Sequence, residues 1–241
     1  HHTEPTGVFL GTQMEGNHDF YRNTERQNRH GYYITQLITD EAAAWLNIQN
    51  SEKPFFLFLP FTVPHTPYQT QDEYEPVKQK SSDWNKGTRE EYVKMVEDFD
   101  AGLEKIFEKL DEKGLTENTV VIFFSDNGPA LLGDPGILNG KKGQVYEGGI
   151  RVPCIINWPG VIEPNSISHQ VSIGFDLTYS ILNITGVDIN NMKLDGMDII
   201  GHITKGEEDF QRTLFWRKKR GTTNFKAVRQ GDYKYLVNIR D

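Results

Sequence analysis

An aspartate and an asparagine stand side by side directly after an apolar segment, at Asp126 and Asn127. A carboxylate in that position must be solvated, protonated, paired or bound to a cation, because burying a bare charge costs several kcal/mol. Asn127 adds an amide oxygen and Gly128 lets the chain turn sharply, so the pair offers two adjacent hard oxygen ligands. Such ligands suit Ca²⁺ or Mg²⁺ better than zinc or copper. The same residue types also favour a plain turn, which is the alternative.

A glycine-rich basic segment, 139–153, follows the Asp126 turn along the chain. Its glycines let the backbone come close to a ligand, and Lys141 and Lys142 supply ammonium groups that can meet an anion. The alternative is a flexible surface loop whose lysines are simply solvated. Because the whole chain has a formal net charge of -8, any anion that it binds must be met by such local groups.

A third candidate is His65, which lies between Pro64 and the pair Thr66-Pro67. The prolines restrict the backbone on both sides, so the imidazole is presented in a fixed place. A histidine held in this way could donate a proton to a leaving oxygen or hydrogen-bond an anionic oxygen. A purely structural loop histidine is the alternative.

Helices and strands that could position these residues are visible in the spacing of apolar side chains. Apolar residues from Tyr33 onward recur every three or four positions, which predicts a helix with one buried face. Thr88 and Glu91 form a capping-box pattern ahead of a second, longer apolar stripe. The segments 54–62 and 119–124 are nearly continuous apolar runs, as expected of strands covered on both faces in a parallel sheet.

The order of these segments predicts an α/β fold with a parallel-type central sheet and helices on both faces. Further segments of the same pattern are a strand at 153–158 and a short helix at 175–182. Loops at the carboxyl ends of parallel strands converge on ligands, and both His65 and Asp126 follow such strands. Short β-like runs near the end predict a small antiparallel subdomain, so residues 1–194 form the main domain and 195–241 begin the second.

Composition limits the functions that this chain can have. Its 241 residues are 37% hydrophobic and acidic overall, which argues against a general nucleic-acid binder because that role needs a broad basic surface. No apolar run approaches the roughly 18 to 20 residues that span a bilayer. The one cysteine, Cys154, is predicted to be a small buried core residue. His1-His2 have no initiator Met or signal peptide before them, so we expect a tag remnant or native sequence from a longer chain.

Three motifs, in this order and spacing, resemble those of the type I sulfatases of the alkaline-phosphatase superfamily. They are Pro-His-Thr-Pro at 64–67, Ser-Asp-Asn-Gly at 125–128, and Gly-Lys-Lys-Gly-Gln-Val-Tyr-Glu-Gly-Gly-Ile-Arg-Val-Pro at 140–153. Weaker similarity extends over nearly the whole chain. The resemblance implies an alkaline-phosphatase-like fold and hydrolysis of a sulfate ester.

The resemblance also implies roles for particular residues. Asp126 and Asn127 match the family's second pair of metal ligands, usually for Ca²⁺, with Mg²⁺ as the other option. Lys142 matches the lysine that binds the sulfate group. His65 matches the histidine that contacts the sulfate and protonates the leaving alcohol. Two other charged residues of the third motif are expected to support the loop: Glu147 and Arg151.

One part of the family's site has no counterpart in this chain. The family's nucleophile is a formylglycine made from the Cys or Ser of a Cys/Ser-X-Pro/Ala-X-Arg motif, and residues 1–241 contain no such motif. The family's paired N-terminal aspartates, and a lysine and a histidine from an early loop, are also unmatched. We therefore expect the C-terminal part of an exported sulfatase, inactive alone, whose intact parent cleaves a sulfated sugar or an aryl sulfate.

Two other functions fit the same residues. A phosphatase, phosphonate monoester hydrolase or phosphodiesterase of the same superfamily uses related metal sites on phosphoryl groups. A non-catalytic relic that binds sulfated glycans would lack the nucleophile altogether. The basic run 217–220 could line a sulfated polysaccharide, because guanidinium and ammonium groups recognise sulfates, or it could be a solvated loop.

Overall fold

A computed structural model describes residues 20–27, 29, 32–72 and 86–240, so the His1-His2 pair lies outside the described residues. Five α-helices are described: α1 Ile34–Asn47, α2 Arg89–Glu112, α3 Glu147–Ile150, α4 Gly174–Ile184 and α5 Ile199–Lys205. The described strands are β1 Tyr21–Arg22, β2 Glu25–Arg26, β3 Val121–Phe124, β4 Cys154–Asn157, β5 Thr213–Arg220, β6 Thr223–Gln230 and β7 Tyr233–Arg240. The chain divides into two compact units: His1–Thr116 with Leu131–Gly133, and Glu117–Ala130 with Asp134–Asp241.

The first unit is built on α1 and α2, which pack against each other. Both helices were predicted, and the capping box at the start of α2 is present: the Thr88 hydroxyl accepts from the Glu91 amide at 3.2 Å, and the Glu91 carboxylate accepts from the Thr88 amide at 2.5 Å. The helices approach closely where Gly102 meets the Thr39 hydroxyl, since a Cβ at Gly102 would collide with that oxygen. The local signals therefore fixed these two elements correctly.

The strand predicted at 54–62 is wrong for the described part of the chain, where this segment forms no ladder. Its burial alternates, with Phe56 and Phe58 70% and 73% exposed while their neighbours are half-buried. The inner side chains pack on the helices: the ring of Phe55 lies 5.4 Å from that of Trp45, and the ring of Phe61 lies 4.8 Å from that of Phe99. The segment therefore buries one face against the helices and leaves the other face exposed, whereas burial of both faces was expected. No described strand pairs with it.

In the second unit, β3 and β4 pair in an antiparallel ladder that runs from Val121 opposite Asn157 to Phe124 opposite Cys154. The strands predicted at 119–124 and 153–158 are present, and they pair antiparallel with each other, although the central sheet was expected to be of parallel type. The intervening segment 125–153 contains only the single-turn helix α3 and returns the chain alongside β3. A parallel crossover usually carries an α-helix that packs across the sheet, and α3 has only four residues.

The prediction that Cys154 is a buried core residue is also wrong. Cys154 is exposed at the first position of β4, and its neighbour Ile155 is 62% exposed. Apolar side chains remain exposed here because, among the described residues, β3 and β4 form a sheet of only two strands. Partial burial still raises the pKa of the Cys154 thiol above its ordinary value.

The predicted antiparallel subdomain is present as the sheet β5–β6–β7. Ahead of it lies α5, which the sequence did not predict, capped by the Asp198 carboxylate that accepts from the Gly201 amide at 2.9 Å. The fully buried carboxylate of Asp176, in α4, accepts from the Met197 amide at 3.0 Å and from Arg212 at 2.7 Å. This ion pair joins α4 to the residue before β5. The domain boundary between residues 194 and 195 stays a prediction.

Candidate functional site

The Asp126 turn follows the end of β3, and the oxygen atoms of its Asp126 and Asn127 side chains have no hydrogen-bond donor among the described residues. Ser125 donates to the carbonyl of Asn127 at 3.1 Å, and the Asn127 amide nitrogen donates to the carbonyl of Gly128 at 3.1 Å. The hydrogen bond is made by the amide nitrogen of Asn127, so its amide oxygen has no hydrogen-bond partner among the described residues. Asp126 is exposed, and the described residues offer its carboxylate neither a hydrogen bond nor an ion pair.

The donor set of this turn fits a hard cation. A carboxylate and an amide oxygen, both without internal partners in the described structure, are ligands that Ca²⁺ and Mg²⁺ prefer. Two protein ligands are too few for either ion, since calcium takes 6–8 oxygens. Within the described ranges, no group of three or more His, Cys, Asp or Glu could hold a metal. The turn thus supplies two oxygen donors of the kind that these ions bind.

The loop that carries Lys142 is hydrogen-bonded to the Asp126 turn. The Lys142 amide donates to the carbonyl of Pro129 at 2.8 Å, and the Gly128 amide donates to the carbonyl of Gly149 at 3.0 Å. The Lys142 side chain is exposed, and no carboxylate of the described chain pairs with it. The structure therefore brings the segments of three of the four predicted site residues together: Asp126, Asn127 and Lys142.

Glycines of the Asp126 turn and of the lysine loop lie where backbone packs on backbone. A Cβ at Gly128 would overlap the carbonyl oxygen of Gly148, and a Cβ at Gly148 would overlap that of Gly140. A Cβ at Gly149 would overlap the carbonyl oxygen of Gln144. These glycines let three stretches of backbone pack directly on one another, so they hold the turn and the lysine loop together.

His65 lies in the first unit and is itself exposed, although the next four residues of its loop are buried. Its amide donates to the carbonyl of Thr62 at 2.9 Å, and its Nδ1 lies 2.9 Å from the carbonyl oxygen of Thr66. A carbonyl only accepts, so in this hydrogen bond Nδ1 is the donor; the Thr66 hydroxyl lies farther from Nδ1, at 3.4 Å. The proton that His65 could give to a substrate therefore belongs on Nε2. The contacts that join Lys142 to the aspartate turn all lie in the second unit.

Three basic residues of the C-terminal sheet lie beside the lysine loop, and sequence reasoning gave no role to two of them, Arg229 and Lys234. The ammonium of Lys218 lies 3.4 Å from the position of a Cβ built at Gly143, in the lysine loop. Arg229 and Lys234 both form ion pairs with Glu147, at 3.1 Å and 2.7 Å. The sequence marked the basic run 217–220 but could not divide it, because only strand register puts Lys218 on the face opposite to Arg217 and Lys219.

Comparison with known proteins shows the family of this chain. Residues 8–187 match the family model described as Sulfatase. The chain is 30% identical over 207 residues to an arylsulfatase of Hemicentrotus pulcherrimus, a match that covers 83% of this chain and 35% of that protein. It is 32% identical over 209 residues to the N-acetylgalactosamine-6-sulfatase of Mus musculus, covering 83% and 38%. The chain thus spans well under half the length of these relatives.

Solved structures are similar in fold. Ps i-CgsB in complex with k-i-k-neocarrahexaose aligns with a TM-score of 0.77 at 28% identity, over 89% of this chain and 48% of that one. A sulfatase from Bacteroides fragilis aligns with a TM-score of 0.67 at 22% identity, over 86% and 49%. These likenesses confirm the predicted alkaline-phosphatase-like α/β class, and with the family model they show that the chain belongs to the sulfatase family.

Proposed function

We propose that this chain supplies part of the active site of an enzyme that hydrolyses sulfate esters. The observation that carries the proposal is the pair of backbone hydrogen bonds between the Asp126 turn and the lysine loop, from Lys142 to Pro129 and from Gly128 to Gly149. They keep two hard oxygen ligands next to a loop that presents an unpaired ammonium. If a metal and a lysine are to contact the same sulfate group, the turn and the loop that carry them have to be held side by side.

In this proposal Asp126 and Asn127 hold a divalent metal, with Ca²⁺ favoured and Mg²⁺ possible. When bound, the metal supplies positive charge that offsets negative charge on the sulfate oxygens. Asp126 contributes a full charge and Asn127 a neutral oxygen, which together neutralise half the charge of a divalent ion. The remaining ligands come from outside residues 1–241.

Lys142 binds the sulfate oxygens through its ammonium group and keeps stabilising them as charge builds up in the transition state. His65 gives a proton from Nε2 to the oxygen of the departing alcohol, because its Nδ1 is committed to the Thr66 carbonyl. That step requires the imidazolium form. A neutral His65 could still accept a hydrogen bond at Nε2 but could not protonate the leaving group.

The nucleophile in this proposal is the formylglycine of the family, carried by a Cys/Ser-X-Pro/Ala-X-Arg segment that is not present in residues 1–241. The covalent route through that residue is closed to this chain by itself. We therefore infer that the 241 residues alone are inactive and act as part of a longer protein.

We infer that the substrate is a sulfated sugar or an aryl sulfate. Relatives are named arylsulfatase and N-acetylgalactosamine-6-sulfatase, and a neighbour of the same fold is solved with neocarrahexaose. The Lys218 ammonium beside Gly143 adds positive charge near the lysine loop, which suits a substrate with more than one sulfate. The resemblance also suggests an exported enzyme. Among the described helices, none is long and apolar enough to cross a membrane.

The test uses the longer protein that carries residues 1–241 together with a nucleophile motif. Its rates on an aryl sulfate, a sulfated oligosaccharide and the matching aryl phosphate are compared with those of the 241-residue chain. We expect faster turnover of sulfate than of phosphate by the longer protein and no turnover by the 241 residues. Preference for the phosphate would favour a phosphatase, and no turnover of any ester would favour a sulfoglycan-binding relic.

A further inference from the structure

Both carboxylate oxygens of Glu147 are occupied by cations from the C-terminal sheet. Oε1 accepts from the Lys234 ammonium at 2.7 Å, and Oε2 accepts from the Arg229 guanidinium at 3.1 Å. The three side chains are only 27%, 12% and 22% exposed, respectively. An exposed ion pair contributes little to stability, but partial burial and two partners make this arrangement more costly to break.

The two cations are themselves fixed in place before they meet Glu147. Arg229 and Lys234 are cross-strand partners on β6 and β7, so they share one face of the sheet. The Nε of Arg229 donates to the carbonyl of Gly231 at 3.0 Å, and the ammonium of Lys234 lies 5.2 Å from the centre of the Trp216 ring. Less side-chain entropy is lost when cations held in this way form the ion pairs.

The backbone next to Glu147 is the point where the site's loops meet. The amide of Gly148 donates to the carbonyl of Asn139 at 2.7 Å, at the start of the lysine loop. The carbonyl of Gly149 accepts from Gly128, at the end of the metal-ligand turn. A carboxylate that fixes α3 at its first residue therefore fixes both loops through the next two residues.

We propose that Glu147 is a positioning residue and that Arg229 and Lys234 clamp it, so that the C-terminal sheet sets the geometry of the Asp126 turn and the Lys142 loop. We name these three residues the Glu147 clamp. The part of the proposal that concerns catalysis rests on the proposed function; the part that concerns loop order does not. Loss of the clamp loosens the two loops without removing a metal ligand or the anion-binding lysine.

The test is hydrogen exchange followed by mass spectrometry on the full 241-residue chain. In Glu147→Gln, we expect amides in the peptides that cover 126–130 and 139–151 to exchange at least tenfold faster, while β6 and β7 keep their protection. The matched control is Glu163→Gln, the same change at an exposed residue of the same unit whose side chain makes no described contact. It should leave both peptides unchanged.

Lys234 provides a second pair of variants in case Glu147→Gln unfolds the chain. Lys234→Met should loosen the same two peptides, and Lys234→Arg should keep them protected because the cation is retained. Unchanged exchange of both peptides in a folded Glu147→Gln, or equal loosening in both Lys234 variants, would overturn the clamp. A longer protein without sulfatase activity would contradict the proposed function and leave this exchange result standing.

Discussion

Single residues of this site are constrained by contact between backbones. Gly128 lies against Gly148, so no side chain fits at either position. The sequence predicted that glycines were needed here, but it attributed Gly128 to a sharp turn and Gly148 to the approach of a ligand. The actual neighbour is another part of the same loop, which no local pattern could reveal because these two residues are twenty positions apart in the chain.

Gly128→Ala should displace the Asp126 turn from the lysine loop. The added methyl would overlap the Gly148 carbonyl oxygen, and backbone cannot give way as a flexible side chain can. We expect a loss of about 1–3 kcal/mol in the free energy of unfolding, measured by urea denaturation. Gly174→Ala is the control, because its methyl meets only the Phe124 ring at an ordinary 3.4 Å. Equal stability of the two variants would argue against the close backbone packing.

Asp126→Asn should weaken metal binding by at least tenfold, because it removes the one full negative charge that the turn offers. In the 241-residue chain, calcium affinity is expected to be weak, on the order of a millimolar dissociation constant, since most ligands are missing. Titration calorimetry with Ca²⁺ measures both. The control is Asp232→Asn in the exposed turn before β7. If Asp126→Asn and the unchanged chain bind calcium equally, the metal assignment is wrong.

Cys154 should react slowly with iodoacetamide at neutral pH. Burial raises the pKa of its thiol, so the reactive thiolate is scarcer in the folded chain than in an unfolded one, where the pKa is about 8.5. The rate of alkylation should keep rising with pH beyond the point where the urea-unfolded chain levels off. A folded profile that levels off at the same pH as the unfolded one, or below it, would contradict the raised pKa.

At the scale of helices and strands, patterns among residues close in sequence predicted the elements that depend only on such residues. The capping box of α2, the apolar faces of α1 and α4, and the three C-terminal strands all follow from residues close in sequence. Pairing depends on distant partners: the sequence did not predict that β3 pairs antiparallel with β4, and the strand predicted at 54–62 forms no ladder with any described strand. The clamp on Glu147 was missed for the same reason, because its partners lie 82 and 87 residues away.

Arg212→Met should destabilise the contact between α4 and β5. The carboxylate of Asp176 is fully buried, and without Arg212 it keeps only backbone amide partners for its charge. Removing one partner of a buried ion pair typically costs about 3–5 kcal/mol, which urea denaturation would detect. Lys226→Met on the exposed part of β6 serves as the control and should change stability by less than about 0.5 kcal/mol. A similarly small change for Arg212→Met would show that the pair contributes little.

At the scale of the whole molecule, the chain belongs to the sulfatase family and covers 35% to 38% of the length of two relatives. The motifs near His65, Asp126 and Lys142 predicted this membership because their residue types, order and spacing resemble those of the family. The sequence also showed which chemistry residues 1–241 do not carry, namely the nucleophile motif. The activity itself therefore has to be measured on a longer protein.

The most direct test of the account is the rate of sulfate ester hydrolysis by that longer protein with Lys142→Ala. Removing one preorganised electrostatic contact typically costs about 10² to 10³ in rate, so we predict a fall of that size in kcat/KM. Lys193→Ala, at an exposed lysine of the same unit, should stay within about twofold of the unchanged enzyme. If Lys142→Ala retains the unchanged rate on the sulfate ester, Lys142 does not bind the reacting group and the proposed site is wrong.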